Sequence, residues 1–262
     1  MMRAFAVRVR NKLARECKHG RLQLKYWFFG GAYCEDLGFM KLPYTGDGDV
    51  QEVMYHLYLR KWYPLDEKYI FPHLKPGGCA VDVGANLGVL TCLFSRLAGK
   101  NGRVLSFEPS PAAFRKLSLT VAVNGLANVE IFNLGCGARS GVMDLFHINR
   151  CSGNSTLRPE EGKSFGAREP VKMVALDDVL GERRLKVDLL KIDTEGFEDE
   201  VLRGAQRLLL RDRPVLSLEL SRDYLTSSRA AVALAKQLDY RFPREPDLEA
   251  SPLEENYLAL PR

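Results

Sequence analysis

The chain is poor in the patterns that build metal and disulfide modules. Its 262 residues include four histidines and six cysteines (Cys17, Cys34, Cys79, Cys92, Cys136 and Cys151), with no C-x-x-C pair and no histidine at zinc-finger spacing. That excludes a structural zinc module and a disulfide scaffold. Cys79 and Cys92 sit in apolar patterns, where a thiol serves as a small hydrophobe. The scattered thiols point to a reducing, cytoplasmic compartment. No apolar run approaches the roughly 20 residues that span a bilayer. The length suits one α/β domain with an appendage.

Acid is nearly missing from one place. Up to Lys25 there are eight basic residues and a single acid, Glu16, a charge of +7; the whole chain is +5, so the remainder sums to −2. A cationic arm suits an anionic surface, and residues 1–25 are expected to meet an anionic membrane. The slightly acidic body disfavours nucleic acid as a partner. "RAFAVRVRNKLAR", residues 3–15, reads as a basic amphipathic helix; its arginines interrupt the apolar stretch that a secretory signal needs. "KYWFFGGAY" reads as a helix packing its aromatic face, and residues 50–74 as helical on either side of Pro64. Residues 1–74 are thus expected to form a helical arm and cap, and residues 75–262 the main domain.

From Cys79 onward strands and helices alternate. "CAVDVG", "RVLSFE", "VEIFNLG", "VDLLKID" and "PVLSLEL" read as buried strands, and "ENYLALP" as a final edge strand. "GVLTCLFSRLAG" reads as a helix closed by Gly99, and "PSPAAFRKLSLTVAVNG" as one with Ser110 at its N-cap and Pro111 first. "FEDEVLRGAQRLLLRDR" reads as one helix with acids first and arginines last, and "SSRAAVALAKQLDY" as another capped by Ser228. Such alternation predicts a doubly wound, mostly parallel Rossmann-like α/β sheet. Residues 147–170 are a polar stretch without periodicity, expected to be a functional loop or disordered.

"AVDVGANLGVLT", residues 80–91, carries Asp82 at a strand end, then Gly84, Asn86 and Gly88. Counted from Gly84, the dinucleotide fingerprint G-x-G-x-x-G would need glycine where Asn86 and Val89 stand, which excludes a pyrophosphate turn. S-adenosylmethionine has no phosphate. It needs close backbone approach, which Gly84 and Gly88 allow, an acceptor for its ammonium, and a carboxylate for its ribose hydroxyls. Asp82 and Glu108 answer the last two needs, with Glu108 at the next strand end. Asp82, Glu108, Asp193 and Glu219 are expected to line one rim.

"VDVGANLGVLT", "VLSFEPSP" and "VDLLKIDTEGFEDEVLRGA" together resemble the FkbM-type methyltransferases, which are class I S-adenosylmethionine-dependent O-methyltransferases. The resemblance implies S-adenosylmethionine as cofactor, with Asp82, Gly84, Ala85, Asn86 and Gly88 as its loop and Glu108 on its ribose. It also puts Gly135 and Cys136 near the adenine. It implies methyl transfer to a hydroxyl of a sugar, glycan or secondary metabolite. Asp193 and Glu195 are the candidates for base or hydroxyl anchor, ahead of Glu219 and His147.

Blander roles compete for the same residues. Asp193 would cap the next helix, Glu195 would be a first-turn acid, and Glu198, Asp199 and Glu200 would be solvated dipole partners. His147 would be a surface histidine, and Lys191 would snorkel or pair with an acid. A magnesium site at Asp193, Glu195 and Glu219 lacks the asparagine pattern it would need, and no metal is expected. RNA methylation rests on the basic arm alone. A catalytically silent scaffold is at odds with the intact loop and ribose acid.

Overall fold

The computed structural model describes residues 33–36, 41–44, 70–147, 155–159, 165–248 and 254–262. The expected arm helix, the membrane-facing residues 1–25, the helices across 50–69 and parts of the polar stretch lie outside the described residues. Within the first 74 residues, β1 (Tyr33–Asp36) and β2 (Lys41–Tyr44) form an antiparallel hairpin, an element that a helical arm and cap did not include.

The main sheet has seven strands: β3 (Cys79–Val83), β4 (Arg103–Phe107), β5 (Val129–Phe132), β10 (Leu189–Ile192), β11 (Val215–Ser221), β12 (Tyr240–Arg241) and β13 (Glu254–Pro261). Their spatial order is β12-β13-β11-β10-β3-β4-β5. β5, β4, β3, β10 and β11 run parallel, and β13 runs antiparallel to β11. β13 is therefore not the edge: the short β12 pairs along its outer side. The chain winds outward from β3 through β4 to β5, then returns to lay β10 on the other flank of β3. That reversal is the topological switch point, where an open α/β sheet leaves a crevice at its carboxyl ends.

Alternation within each strand makes the two faces. Val81, Val83, Leu105, Phe107, Leu190, Ile192, Leu216, Leu218 and Leu220 form one continuous apolar face. On it pack α3 (Leu176–Leu180), α4 (Glu198–Arg203), α5 (Gln206–Asp212) and α6 (Leu225–Gln237). The opposite face begins apolar, with Ala80, Val104 and Leu189 against Cys92 and Phe94 of α1 (Val89–Ala98). Asn128 closes α1 by donating Nδ2 to the Ser95 and Gly99 carbonyls. α2 (Pro111–Val123) starts at Pro111 with Ser110 at the N-cap position, though the Ser110 side chain makes no capping bond there.

Between β5 and β10 a second sheet is inserted: β6 (Gly135–Cys136), β7 (Gly141–His147), β8 (Ser155–Thr156) and β9 (Arg168–Val174), ordered β6-β9-β7-β8. So the polar stretch is partly strand. Its small core of Leu145, Leu157, Val171 and Met173 closes on Phe197, just before α4.

Two helices depart from expectation. The predicted helix over 197–213 is broken into α4 and α5 at Gly204, whose carbonyl accepts the Asp177 N–H. The inserted chain passes so close there that only glycine fits, since a Cβ on Gly204 would lie 1.9 Å from the Gly137 carbonyl oxygen. Asp177 caps α5 by accepting from the Arg207 and Leu208 amides. Ser228 is inside α6 rather than at its start, because the turn Arg222–Tyr224 begins the helix earlier; its hydroxyl donates to the Ser221 carbonyl and accepts the Ser221 amide.

Gly204→Ala drives a methyl group into backbone of another element, so stability is expected to fall by roughly 3 kcal/mol. A urea midpoint measurement checks this.

Candidate active site

The face that begins apolar changes character toward the strands' carboxyl ends. Ser217, Lys191, Asp82 and Ser106 lie side by side on four strands, so their side chains share that face. Two residues further along, the same strands carry Glu219, Asp193, Gly84 and Glu108. A buried polar row is thus followed by an acidic rim. Asp82 belongs to the first row, not the rim, and is 1% exposed. Thr91 of α1 donates to Asp82 Oδ2 at 2.6 Å and lies 2.8 Å from Ser106 Oγ. Burial pushes the Asp82 carboxyl up, with the Thr91 bond and Lys191 opposing.

The glycine loop is welded to the ends of β4 and β10. The Gly84 and Ala85 amides both donate to the Phe107 carbonyl. Gly84 has φ +78°, and a Cβ there would lie 1.8 Å from the Asp193 carbonyl oxygen. At Gly88, φ +85°, a Cβ would meet Leu117 at 2.6 Å. Both glycines therefore answer to close packing inside the protein. Glu108 holds the loop from the side: Oε2 accepts the Asn86 amide at 2.8 Å and Oε1 the Ser110 amide at 2.9 Å. Burial raises its carboxyl to about 7 against these two bonds. Asn86, itself at φ +51°, leaves its Oδ1 buried without a partner among the described residues.

Across the switch point, Lys191 is 1% exposed and donates Nζ to Asp193 Oδ2 at 2.8 Å, the pairing expected for a lysine in a buried strand. Burial alone would raise Asp193, but the Lys191 charge and hydrogen bonds from Glu219 and Lys191 outweigh it and hold the carboxyl below its ordinary value. Glu219 goes the other way. Burial first, then the charge and hydrogen bond of Asp193 and the charge of Glu195, lift it well above the ordinary range. Asp193 caps no helix, since the N-cap position of α4 is Phe197.

After Asp193 the chain turns through Glu195 at φ +52° and Gly196 at φ +95°. Glu198 is no solvated dipole partner. It is 2% exposed, and its Oε1 accepts the Thr194 amide, the Thr194 hydroxyl and the Gly196 amide. Asp199 is buried too, accepting from Ser227 at 2.6 Å and pairing with Arg158. Both acids are drawn inward because the turn and the inserted sheet supply donors there.

The insert reaches this turn through residues that carry no motif. Thr156, fully buried, donates to the Glu195 carbonyl at 2.7 Å and accepts the Arg158 amide. Arg158 lies over the Phe197 ring. His147 is not a free surface histidine: it bonds Ser155 at 2.8 Å and Glu169 at 3.0 Å. Gly135 sits beside Pro109, and the Cys136 side chain is buried in the apolar core. Among the described residues, no group of three or more His, Cys, Asp or Glu could hold a metal ion, and no helix is long and apolar enough to cross a membrane. Ser106 was readable in principle, standing two residues before Glu108 as Lys191 stands two before Asp193.

Two measurements probe this geometry. A carboxyl raised from 4.5 to about 7 binds its proton more tightly in the folded chain, so its contribution to stability is present at low pH and is lost as pH climbs between those values. Glu108→Gln is expected to flatten the stability–pH curve there, as read by thermal melts. Thr156→Val leaves the Glu195 carbonyl without that donor and is expected to cost about 1 kcal/mol in denaturant titration.

Several known proteins resemble this chain. Methyltransferase sdnD of Sordaria araneosa is 32% identical over 168 residues, covering 53% of this chain and 64% of that protein. The 31-O-demethyl-FK506 methyltransferase FkbM of Streptomyces tacrolimicus is 29% identical over 51% of this chain and 61% of its own length. The hexuronic acid methyltransferase AglP of Haloferax volcanii is 28% identical over 49% and 50%. The chain thus spans less than two thirds of the length of these curated relatives. A crystal structure of the FkbM methyltransferase of Methylobacillus flagellatus KT aligns at TM-score 0.47 and 17% identity, covering 78% of this chain and 53% of that one. The model of the methyltransferase FkbM domain matches residues 82–242, well over half the sequence, and the chain belongs to that family, whose cofactor is S-adenosylmethionine.

Proposed function

We propose that this domain transfers the methyl group of S-adenosylmethionine to a hydroxyl of a sugar, glycan or secondary metabolite. The observation that carries this is the acidic rim at the switch point, where Glu108, Asp193 and Glu219 follow a buried polar row that crosses four neighbouring strands. The chemistry of the donor set fits the cofactor. Each Glu108 oxygen accepts one backbone amide, which leaves acceptor capacity for ribose hydroxyls. The orphaned Asn86 Oδ1 adds a second acceptor at the loop. Carboxyl oxygens along the rim offer acceptors to the cofactor's ammonium and hydroxyls. Asp82, hydrogen-bonded under the loop, supports it from below, with Gly84, Ala85 and Gly88 shaping its backbone.

When bound, the cofactor supplies a methyl carbon whose bond to sulfur breaks as the new carbon–oxygen bond forms. The chain's own task is to hold the acceptor oxygen in line, exclude water and take its proton. Asp193, ionised beside Lys191, is the base. Glu195, on its strained turn, anchors the acceptor from the adjacent position. The acceptor class is supported by relatives named for a demethylated FK506 and for a hexuronic acid.

Incubation with labelled S-adenosylmethionine and host extract is expected to yield a labelled, hydroxyl-bearing product. Glu108→Ala is expected to weaken cofactor binding by roughly ten- to a hundredfold in calorimetry. Unchanged affinity would remove the ribose role. A labelled product that is RNA would replace the acceptor class.

A further inference from the structure

We propose that Glu219 is a positioning residue that carries the single proton of an Asp193–Glu219 hydrogen bond, leaving Asp193, anchored by Lys191, as the ionised member that faces the acceptor hydroxyl. The acceptor's part in this rests on the proposed methyl transfer; the location of the proton does not.

The geometry dictates the sharing. Ile192 pairs with Leu218 on β10 and β11, so Asp193 and Glu219 stand side by side at the next step. Two carboxyls side by side at the ends of neighbouring parallel strands favour one shared proton, because like charges so close oppose each other's ionisation. Lys191 decides which one keeps it. Its buried ammonium lies 2.8 Å from Asp193 Oδ2, so its attraction acts on that carboxyl first. A buried cation also requires a balancing anion. Asp82, the other acid near Lys191, is raised by burial and takes the Thr91 hydroxyl, which leaves the balancing charge to Asp193. Among the described residues, the charges of Asp193 and Glu195 oppose the ionisation of Glu219, and that of Lys191 favours it. On β13 the facing residue is the uncharged Asn256.

The consequence is directional. A Glu219 hydroxyl donating to Asp193 fixes the plane of that carboxylate. Together with the Lys191 bond it leaves Asp193 lone pairs for the acceptor. The acceptor's O–H bond then breaks toward Asp193, its electron pair staying on the oxygen. With Glu219 ionised, the pair would repel across the rim and Asp193 would turn away.

Carbon-13 NMR of the full apo chain, labelled at glutamate carboxyls, tests the proton directly. One glutamate that stays protonated at neutral pH is expected to vanish from the spectrum of Glu219→Gln. With the acceptor found by labelling, Glu219→Gln keeps a donor and is expected to stay within about threefold of the wild-type kcat, while losing the alkaline limb of the kcat–pH profile. Glu219→Ala is expected to drop roughly tenfold or more. The inference is overturned if the Glu219 carboxyl titrates in the ordinary range, if Glu219→Ala keeps full activity, or if Glu219→Gln is as inactive as Asp193→Asn, which would make Glu219 the base. Failure of methyl transfer itself reads out separately, as no cofactor affinity and no labelled product, and leaves the NMR titration to decide the proton.

Discussion

The site depends on the approach of two backbones. β3 and β10 lie so close at the switch point that the bare face of Gly84 rests against the Asp193 carbonyl, where a methyl group would be 1.8 Å from oxygen. The Asp193 amide donates to the Val83 carbonyl, while the Gly84 and Ala85 amides both reach the Phe107 carbonyl. Three strand ends are thereby locked in one arrangement before any ligand is considered. The glycine loop proposed to hold the cofactor and the acid proposed as base are set by the same contact, so neither can shift without the other. Preorganisation of this kind is what a displacement reaction needs from a protein, since misplacement by an ångström costs far more than a lost hydrogen bond.

The same strands produce scaffold and chemistry by a change along one face only. Val81, Val83, Leu190, Ile192, Leu216 and Leu218 keep one side apolar to the end, and four helices pack on that side. The other side passes from Ala80, Val104 and Leu189 to Asp82, Ser106 and Lys191, and then to the acidic rim. Burying Lys191 is costly in itself; the paired Asp193 offsets it. Charge that would destabilise a sheet interior is thus confined to the end where a ligand can use it.

How far the sequence revealed this follows from where each signal lives. The strands were legible because period-two alternation with apolar residues is local, and Lys191 stood out as a cation in a buried pattern. Asp82, Gly84 and Glu108 were legible as a spacing. Glu198 and Asp199 were not: as first-turn acids they look like dipole partners, and only the fold shows that the Thr194–Gly196 turn and Ser227 draw them inward. Gly204 reads as a tolerated helix glycine until the Gly137 carbonyl is seen beside it. β6 and β8 went unread because they are two residues each, and β7 because it is largely exposed, with Val142 and Met143 facing outward, so alternation carries little signal.

The inserted sheet is where the least legible residues and the rim meet. It is held to the main domain by directed bonds, Thr156 to the Glu195 carbonyl and Arg158 to Asp199, and by Phe197, which closes its small core. Glu195 occupies a left-handed conformation that costs on the order of 1 kcal/mol or more for a residue with a side chain, so its neighbours must impose it. Thr156 holds its carbonyl from one side and Glu198 binds the flanking amides from below. A displacement of β8 must therefore carry the Glu195 turn with it or strip that carbonyl of the Thr156 donor. The rim is rigid where β3 and β10 meet, and it answers to the insert one turn later.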